Sequence, residues 1–378
     1  MRKLTAVGAY IFAGGFTLGM SKYFRVLAHL EDGLHGVATT RLNFPRLPVY
    51  TEVRRWPLAE LARLKPDVLY SNPPCAAWSA AGIRSAADHA RERDRWRTDA
   101  RVSCVHNCFE AFRQLQPDVW VWESVPRALT SGWEFVQGLT RECTERGYAV
   151  TYLVQEASLL GVPQRRRRFM FIAHKYEIPW TPGDPSNRVT VGQALRGVRP
   201  DIELKLGRKF RRVLVSMRDR VGGIRGFWDE RHPVKTRATR KLRDGRRQFV
   251  GRPHFLSVRL DPDDVAPTMV GGANWFHWRE HRHVSPRESA VLCGFPVSYR
   301  WSSPKPYAEI AQGVMPPVAA WLAKHLARSL RAHVPASGVR RVDIAKVPGQ
   351  VTVTDLPRPD RLPRTPRRLV KVIDKRRV

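Results

Sequence analysis

The first 174 residues alternate short apolar runs with amphipathic stretches, and that alternation constrains the fold more than any other feature. LTAVGAYIF, FRVLAHL, DVLYS, DVWVWES and RFMFIAHK read as strands. TDARVSCVHNCFEAFRQL and WEFVQGLTRECTERGY repeat their apolar residues at helical spacing, and a short helix follows the loop FAGGFTLG. Strands separated by single helices form crossover units and a parallel sheet. The predicted fold is therefore α/β, a doubly wound, mostly parallel, Rossmann-like sheet.

Beyond residue 174 the pattern changes. Residues 184–260 hold 21 Lys+Arg against 7 Asp+Glu, with frequent turns and weak periodicity. They predict a smaller, irregular, basic unit spanning 175–284. Order returns over 285–332, where PRESAVLCGFP reads as a capped helix closing on Gly294 and PPVAAWLAKHLARSL as a long amphipathic one; both are expected to pack back onto the first unit. Residues 331–378 carry 13 Lys+Arg, 4 Asp+Glu, 6 Pro and no aromatic residue. Such a composition cannot offset the entropy of ordering, so 333–378 is expected to be a disordered basic tail.

The whole chain carries 66 Lys+Arg against 34 Asp+Glu, a formal net charge of +32. A field of that size attracts polyanions. No run approaches the ~18–20 apolar residues of a membrane span, so no membrane partner is expected. The N-terminal MRKLTAVGAYIFAGGF has the basic start and apolar run of a signal peptide, but Gly14 and Gly15 break it, and it reads as a strand and a loop. Five scattered cysteines suit a reducing compartment, and a cytoplasmic location in a bacterial or phage-infected cell is expected.

Chemistry concentrates at the strand ends. In SNPPCAAWS, Pro73 and Pro74 stop a strand and stiffen the chain into Cys75. The carboxyl end of a strand is where open α/β sheets bind ligands, so Cys75 reads either as a nucleophile or as a buried thiol in a turn. FAGGFTLG is a plain tight turn or a loop that lets a ligand approach the backbone, and it lacks the spacing of a dinucleotide fingerprint. The next strand ends in Glu31 and Asp32, the place of a ribose-binding acid. Together the two ends suggest an adenosine-containing cofactor without a pyrophosphate, a description S-adenosylmethionine fits. Glu123 in WESVP ends another strand. In GVPQRRRRFMFIA, alternation puts Arg166 and Arg168 on one face and Arg165 and Arg167 on the other. The pair Cys104 and Cys108 shares a helix face and reads as packing, since two ligands do not close a zinc site. WFHWREHRH, with His277, His281 and His283, reads as packing or a nucleic-acid-facing segment.

The order FAG(G), PPC, E-x-V, Q-x-R-x-R, RE-x-x-x-L-x-GFP and a glycine before PP resembles the DNA methyltransferases that modify carbon 5 of cytosine. The likeness covers residues 5–174 and 285–330. It implies a catalytic and cofactor-binding domain over 1–174, a target-recognition domain over 175–284, and helices over 285–332 that return to the catalytic domain. It implies an S-adenosylmethionine-dependent enzyme acting on double-stranded DNA as a monomer without a metal. By resemblance Cys75 is the nucleophile, Glu123 binds the base, and Arg166, supported by Arg168, offsets charge on the ring. Phe12, Gly14, Gly15, Glu31, Asp32, Glu52, Pro73, Gly313 and Val314 fall at cofactor positions, and Trp78 and Ser79 match an aromatic and a small position after the cysteine. The chain departs from the pattern in a shorter first loop, in Ala76 after the cysteine, in Ser124, and in Gly313 in place of a late asparagine. An RNA substrate on the same fold, or a catalytically silent DNA-binding protein, are the alternative readings. The size of the basic insert favours DNA over RNA, and the intact Cys75, Glu123 and Arg166 favour an enzyme.

Overall fold

A computed structural model describes residues 2–32, 36–79, 95–183, 186, 188–202, 239–241, 247–249, 258–269, 271, 275–280, 282–344 and 350–357. In chain order the elements are β1 (Thr5–Ala9), α1 (Gly15–Met20), β2 (Arg25–Leu30), α2 (Val37–Asn43), β3 (Val49–Tyr50), α3 (Leu58–Arg63), β4 (Val68–Ser71), α4 (Arg95–Thr98), α5 (Val102–Leu115), β5 (Val119–Ser124), α6 (Trp133–Glu145), β6 (Ala149–Glu156), β7 (Arg167–His174), α7 (Val191–Ala194), β8 (Thr239–Lys241), β9 (Arg247–Phe249), β10 (Val258–Arg259), β11 (Trp275–Phe276), α8 (Pro286–Leu292), α9 (Tyr307–Gln312), α10 (Pro316–Ala332), β12 (Val339–Asp343) and β13 (Thr352–Leu356), with short 3-10 turns between some of them.

Nine strands form one sheet in the order β13-β12-β6-β7-β5-β4-β1-β2-β3. The pairs β1–β2, β1–β4, β2–β3, β4–β5 and β6–β12 are parallel. Strand β7 runs antiparallel to both its neighbours, β5 and β6, and β13 antiparallel to β12. The expected doubly wound, mostly parallel sheet is the one found. Its order reverses at β1, whose neighbours are β2 on one side and β4 on the other. A crevice at such a reversal, outside the carboxyl ends, is where this class of sheet takes ligands.

Strand β5 shows how the sequence builds two faces. Trp120 and Trp122 face a core made with Phe171, Tyr152, the α5 residues Val105, Cys108 and Phe112, and the α6 residues Val136 and Leu139. Val119 and Val121 face the opposite core, with Met170, Ile172, Phe16 and Met20 of α1, and Leu322 and Leu326 of α10. Alternate side chains of a strand point to opposite faces, so a strand buried on both sides is apolar throughout. The buried β6, AVTYLVQE, follows the same rule, yet it does not stand out in sequence because it follows helix α6 after a turn of only three residues.

One expectation needs correction. Val339–Asp343 and Thr352–Leu356 are not a structureless tail: β12 pairs in register with β6, from Val339 opposite Val150 to Asp343 opposite Val154, and β13 folds back on β12. Val339, Val342, Ile344 and Leu356 are buried. Backbone pairing with an open sheet edge plus four aliphatic side chains suffices here, without an aromatic residue. Residues 358–378 lie outside the described residues. Residues 285–312 touch the first unit, the Tyr299 hydroxyl donating to the Ala13 carbonyl (2.5 Å) and Thr39 to Glu309 (2.6 Å), and they also build a core of their own. Helices α8 and α9 contribute Ala290, Leu292 and Ile310 to a third core with Val191, Leu195, Leu260, Met269 and Trp275, and it is α10 that packs on the sheet. The start of α8 is as expected: Ser285 accepts from the Glu288 N–H in a reciprocal capping box. Most of the basic stretch 184–260 lies outside the described residues.

Helix α1 meets α10 at Gly19. A Cβ there would lie 2.4 Å from the Cβ of Ala319, 2.5 Å from the Ala320 nitrogen and 2.6 Å from the Pro316 carbonyl oxygen. Alanine would gain about 1 kcal/mol of helix propensity, but overpacking costs about 1–3 kcal/mol or more where backbone must move. Gly19→Ala should therefore lower the urea midpoint of unfolding. A midpoint at or above that of the parent would show that the two helices part freely.

Candidate active site

Because β1 to β5 are parallel, their carboxyl ends share one edge of the sheet, and because β7 is antiparallel, it begins at that same edge. The ends of β4 and β5 and the start of β7 therefore meet there. After Ser71, the Asn72 N–H donates to the Ala9 carbonyl (3.1 Å), which holds the exit of β4 against β1. Pro73 is buried and Pro74 exposed, and Cys75 follows, half-buried with a free thiol. Trp78, three residues on, is fully buried against Trp122 (5.3 Å between ring centroids) and Phe135 (5.6 Å). The loop fits only because residue 132 is glycine: a Cβ there would sit 2.2 Å from the Trp78 indole nitrogen.

Glu123 is buried at the end of β5. Its Oε1 pairs with Arg168 Nε at 3.0 Å and its Oε2 accepts from Asn72 Nδ2 at 2.6 Å. Burial pushes the Glu123 carboxyl up, and Arg168 and then Arg166 pull it back. Arg166 is also buried, and its Nη2 donates to the carbonyls of Ala311 (2.6 Å) and Gly313 (3.3 Å). Its backbone N–H donates to Glu156 Oε1 at 2.6 Å. Burial, helped by Arg168, lowers the guanidinium to about 10, so it remains a cation at neutral pH. Its Nε and Nη1 are buried without a hydrogen-bond partner. For Cys75, burial pushes the thiol up, while Arg168 and then Arg166 oppose it. The alternation of the arginine run is as expected: Arg165 and Arg167 are exposed, and Arg165 pairs with Asp264.

Asn72 and Glu156 are members of this cluster that sequence reading passed over. Asn72 stands in the quoted SNPPC, between a strand end and two prolines, where a side chain aimed along the sheet edge has few other places to go. Glu156 ends β6, the strand that sequence reading missed.

The neighbouring site is built from the ends of β1 and β2. Tyr10 and Phe12 adopt left-handed backbone conformations, φ 55° and 66°, which cost energy in residues with a side chain. Glu31 stabilises that bend, its Oε1 accepting from the Ile11 N–H at 2.8 Å. Glu31 is itself buried, and burial raises its carboxyl to about 8 against the backbone N–H groups of Ile11 and Phe12. Asp32 is exposed and accepts from the Cys104 thiol at 3.4 Å, and Trp56 donates to the Glu31 carbonyl at 2.8 Å. Phe12 is half-buried beside them in sequence.

The glycines of the first loop face protein. A Cβ at Gly14 would lie 2.8 Å from the Tyr299 hydroxyl and 2.9 Å from Phe44, and one at Gly15 would lie 2.4 Å from the Val314 carbonyl oxygen. The close backbone approach expected of a ligand is made at these two positions by the segment that returns before α10. Gly313 holds Arg166 through its carbonyl, and Val314 is buried in the sheet's core. Glu52 is not brought to the cluster by any contact: its side chain is 62% exposed and pairs with Arg55. Cys104 and Cys108 pack in the core, and among the described residues no group of His, Cys, Asp or Glu is placed to hold a metal ion. Trp275, Phe276 and His277 are buried in the third core's neighbourhood, and the buried Arg282 forks onto Glu288 (2.7 and 2.8 Å). His281 lies outside the described residues. Among the described residues no helix is long and apolar enough to cross a membrane.

Residues 10–328 match the family model of the C-5 cytosine-specific DNA methylases. Type II methyltransferase M1.HphI of Haemophilus parahaemolyticus is 27% identical over 317 residues, covering 78% of this chain and 78% of that protein. Type II methyltransferase M.HgiDI of Herpetosiphon aurantiacus is 23% identical over 340 residues, covering 88% and 95%. Among solved structures, a protein encoded within an E. coli prophage aligns with a TM-score of 0.61 at 22% identity, over 87% of this chain and 99% of the other. A variant of Spodoptera frugiperda DNMT2 aligns with a TM-score of 0.57 at 13% identity, over 85% and 99%. At these identities the structural likenesses speak for the fold.

Glu31 generates a pH prediction. With its folded value raised to about 8 from an ordinary 4.5, the folded protein holds a proton that the unfolded chain has lost. Its contribution to stability is complete below about 4.5 and is lost as pH rises toward about 8. Glu31→Gln should flatten the decline of unfolding free energy across that window. An unchanged slope would assign the decline to other groups.

Proposed function

The chain belongs to the C-5 cytosine-specific DNA methylase family and is a DNA (cytosine-5-)-methyltransferase; from that premise we propose that Cys75 is its nucleophile, Glu123 and Arg166 its ring-activating pair, and the β1 and β2 ends its S-adenosylmethionine site. The observation that carries this reading is the meeting of Cys75, Glu123, Arg166 and Arg168 at one edge of the sheet, with Glu123 held by Arg168 and Asn72.

Carbon 5 of cytosine is a poor nucleophile. Addition of the Cys75 thiolate to carbon 6 moves an electron pair onto carbon 5, which becomes nucleophilic enough to take a methyl group from the donor's sulfonium, leaving that sulfur as a neutral thioether. A thiol raised by burial is protonated when the site is empty of substrate, so the arginines matter: they lower the cost of the thiolate and of the negative charge that passes into the ring. Glu123 would bind the ring's N3 and amino edge and favour uptake of a proton from solvent at N3 as that charge develops. Arg168 fixes the Glu123 carboxyl, and Arg166, lowered by burial only to about 10, stays charged at neutral pH while the carbonyls of Ala311 and Gly313 hold its guanidinium in place. After methylation a base, for which solvent water suffices, removes the carbon 5 proton; the bond to carbon 6 breaks, and Cys75 leaves as a thiolate that takes a proton back from solvent.

S-adenosylmethionine supplies an electrophilic methyl on a sulfonium. The donor set at the first two strand ends fits its adenosine part: a buried carboxyl at Glu31, a second acid at Asp32, and the aromatic rings of Phe12 and Trp56. Pro73 shapes the wall toward Cys75, while Gly14, Gly15, Gly313 and Val314 support the pocket from behind. The target base lies within a duplex and has to be flipped out to meet Cys75, at a cost of a few kcal/mol. The basic stretch 184–260, with its net charge of +14 from 21 Lys+Arg and 7 Asp+Glu, supports duplex binding and target reading.

Cys75→Ala should abolish methyl transfer and leave S-adenosylmethionine binding intact; methyl incorporation at the parental rate would remove Cys75 from the mechanism. Bisulfite sequencing of DNA from cells expressing the parent chain reads activity and target together, and transfer to RNA alone would redirect the substrate. Glu123→Gln should slow single-turnover transfer by roughly 10²- to 10⁴-fold with DNA affinity unchanged. A fall in affinity at an unchanged single-turnover rate would give Glu123 a binding role instead.

A further inference from the structure

The loop that carries Cys75 is held by a residue that no motif marks. After Pro74 the chain makes one tight turn, in which the N–H groups of Trp78 and Ser79 both donate to the Cys75 carbonyl, at 3.1 and 3.0 Å. Arg95, the first residue of α4, donates to the carbonyls that follow Cys75. Its Nε donates to the Ala77 carbonyl at 3.0 Å, and its Nη2 donates to those of Ala76 at 2.5 Å and Ser79 at 3.0 Å.

Three carbonyls of a four-residue segment therefore converge on one guanidinium. The rigid fork of arginine suits such a set, and charge-assisted donors are stronger than neutral ones. A cation at the carbonyl end of a turn is favourable as well. The rest of the anchorage is apolar: Trp78 is locked into the aromatic core between the Ala77 and Ser79 carbonyls, and Trp96, the neighbour of Arg95, packs on Phe135 (5.5 Å), the same ring that touches Trp78. Pro73 and Pro74 stiffen the chain before Cys75, and Arg95 ties it after.

We propose that Arg95 is a positioning residue for the nucleophile: it holds the 76–79 backbone so that the Cys75 sulfur keeps its place beside Glu123 and Arg168. The inference rests on the reading of Cys75 as the nucleophile given above. It assigns Arg95 no contact with the base or the methyl donor.

The test is the rate at which the enzyme forms a covalent complex with a duplex carrying 5-fluorocytosine at its target, with single-turnover methyl transfer measured beside it. A misplacement of about 1 Å at a reacting group costs on the order of 10²-fold, so Arg95→Ala should slow both rates by roughly 10- to 100-fold. Affinities for S-adenosylmethionine and DNA should be unchanged, and Arg95→Lys, which keeps a charge but cannot reach three carbonyls at once, should fall between. Rates for Arg95→Ala within about twofold of the parent would overturn the proposal. So would a slow Arg95→Ala whose thermal stability and cofactor affinity fall in step and which lysine does not improve. If Arg95→Ala does not fold, Arg95→Lys decides: slowed trapping at parental stability supports the proposal, and parental trapping overturns it. Cys75→Ala separates the two readings. If it still methylates, the nucleophile assignment fails first; if it is inactive while Arg95→Ala is unimpaired, only the role of Arg95 fails.

Discussion

The ion pair between Glu123 and Arg168 is the point on which the site depends. Two charged side chains are withdrawn from water at the end of a sheet, and such groups persist only when each satisfies the other. Their meeting follows from topology. Were β7 parallel to β5, its arginines would emerge at the opposite edge, a strand's length away from Cys75. The single reversed strand inside a largely parallel sheet is therefore what turns an acidic strand end and a basic strand start into neighbours.

Arg166 extends this dependence to the far end of the chain. Its guanidinium is held by carbonyls at the end of α9, and its backbone by Glu156. The same segment, at Val314, presses on Gly15 at the start of α1, and α10 then lies against α1 at Gly19. The first helix, the arginine strand and the returning helix are thus one mechanical unit, and small residues at the two glycine contacts let it close. Glycine is required at positions 15 and 19 by helix packing as much as by any ligand.

Much of this was legible in the sequence. DVLYS, DVWVWES and RFMFIAHK read as strands because each is apolar on both faces and ends in turn residues. The placement of Arg166 and Arg168 on one face needed only the period of two. Other parts were hidden for physical reasons. AVTYLVQE, set off from the preceding helix only by Gly147, went unassigned. VRRVD and TVTDL look like solvated charge until a sheet edge is present to pair with them. Glu52 has the local sequence of a strand end but a side chain that turns to Arg55. FAGGFTLG reads as a plain tight turn or a loop open to a ligand, and nothing in it points to Tyr299, Phe44 and Val314. Arg95 lies four residues before the Asp99–Arg101 pair, in a run of arginines where sequence offers no way to single one out.

The two margins of the sheet have a consequence of their own. An exposed strand edge is a template for pairing with another chain. Here one margin is β3, only two residues long (Val49–Tyr50), and the other is β13, where Asp355 is fastened to Arg340 (2.9 Å). A two-residue strand offers too short a ladder to seed growth, and a margin with charged side chains penalises an approaching apolar strand. The hairpin of β12 and β13 thus covers the edge of the long, buried β6, and keeps that strand from pairing with another chain.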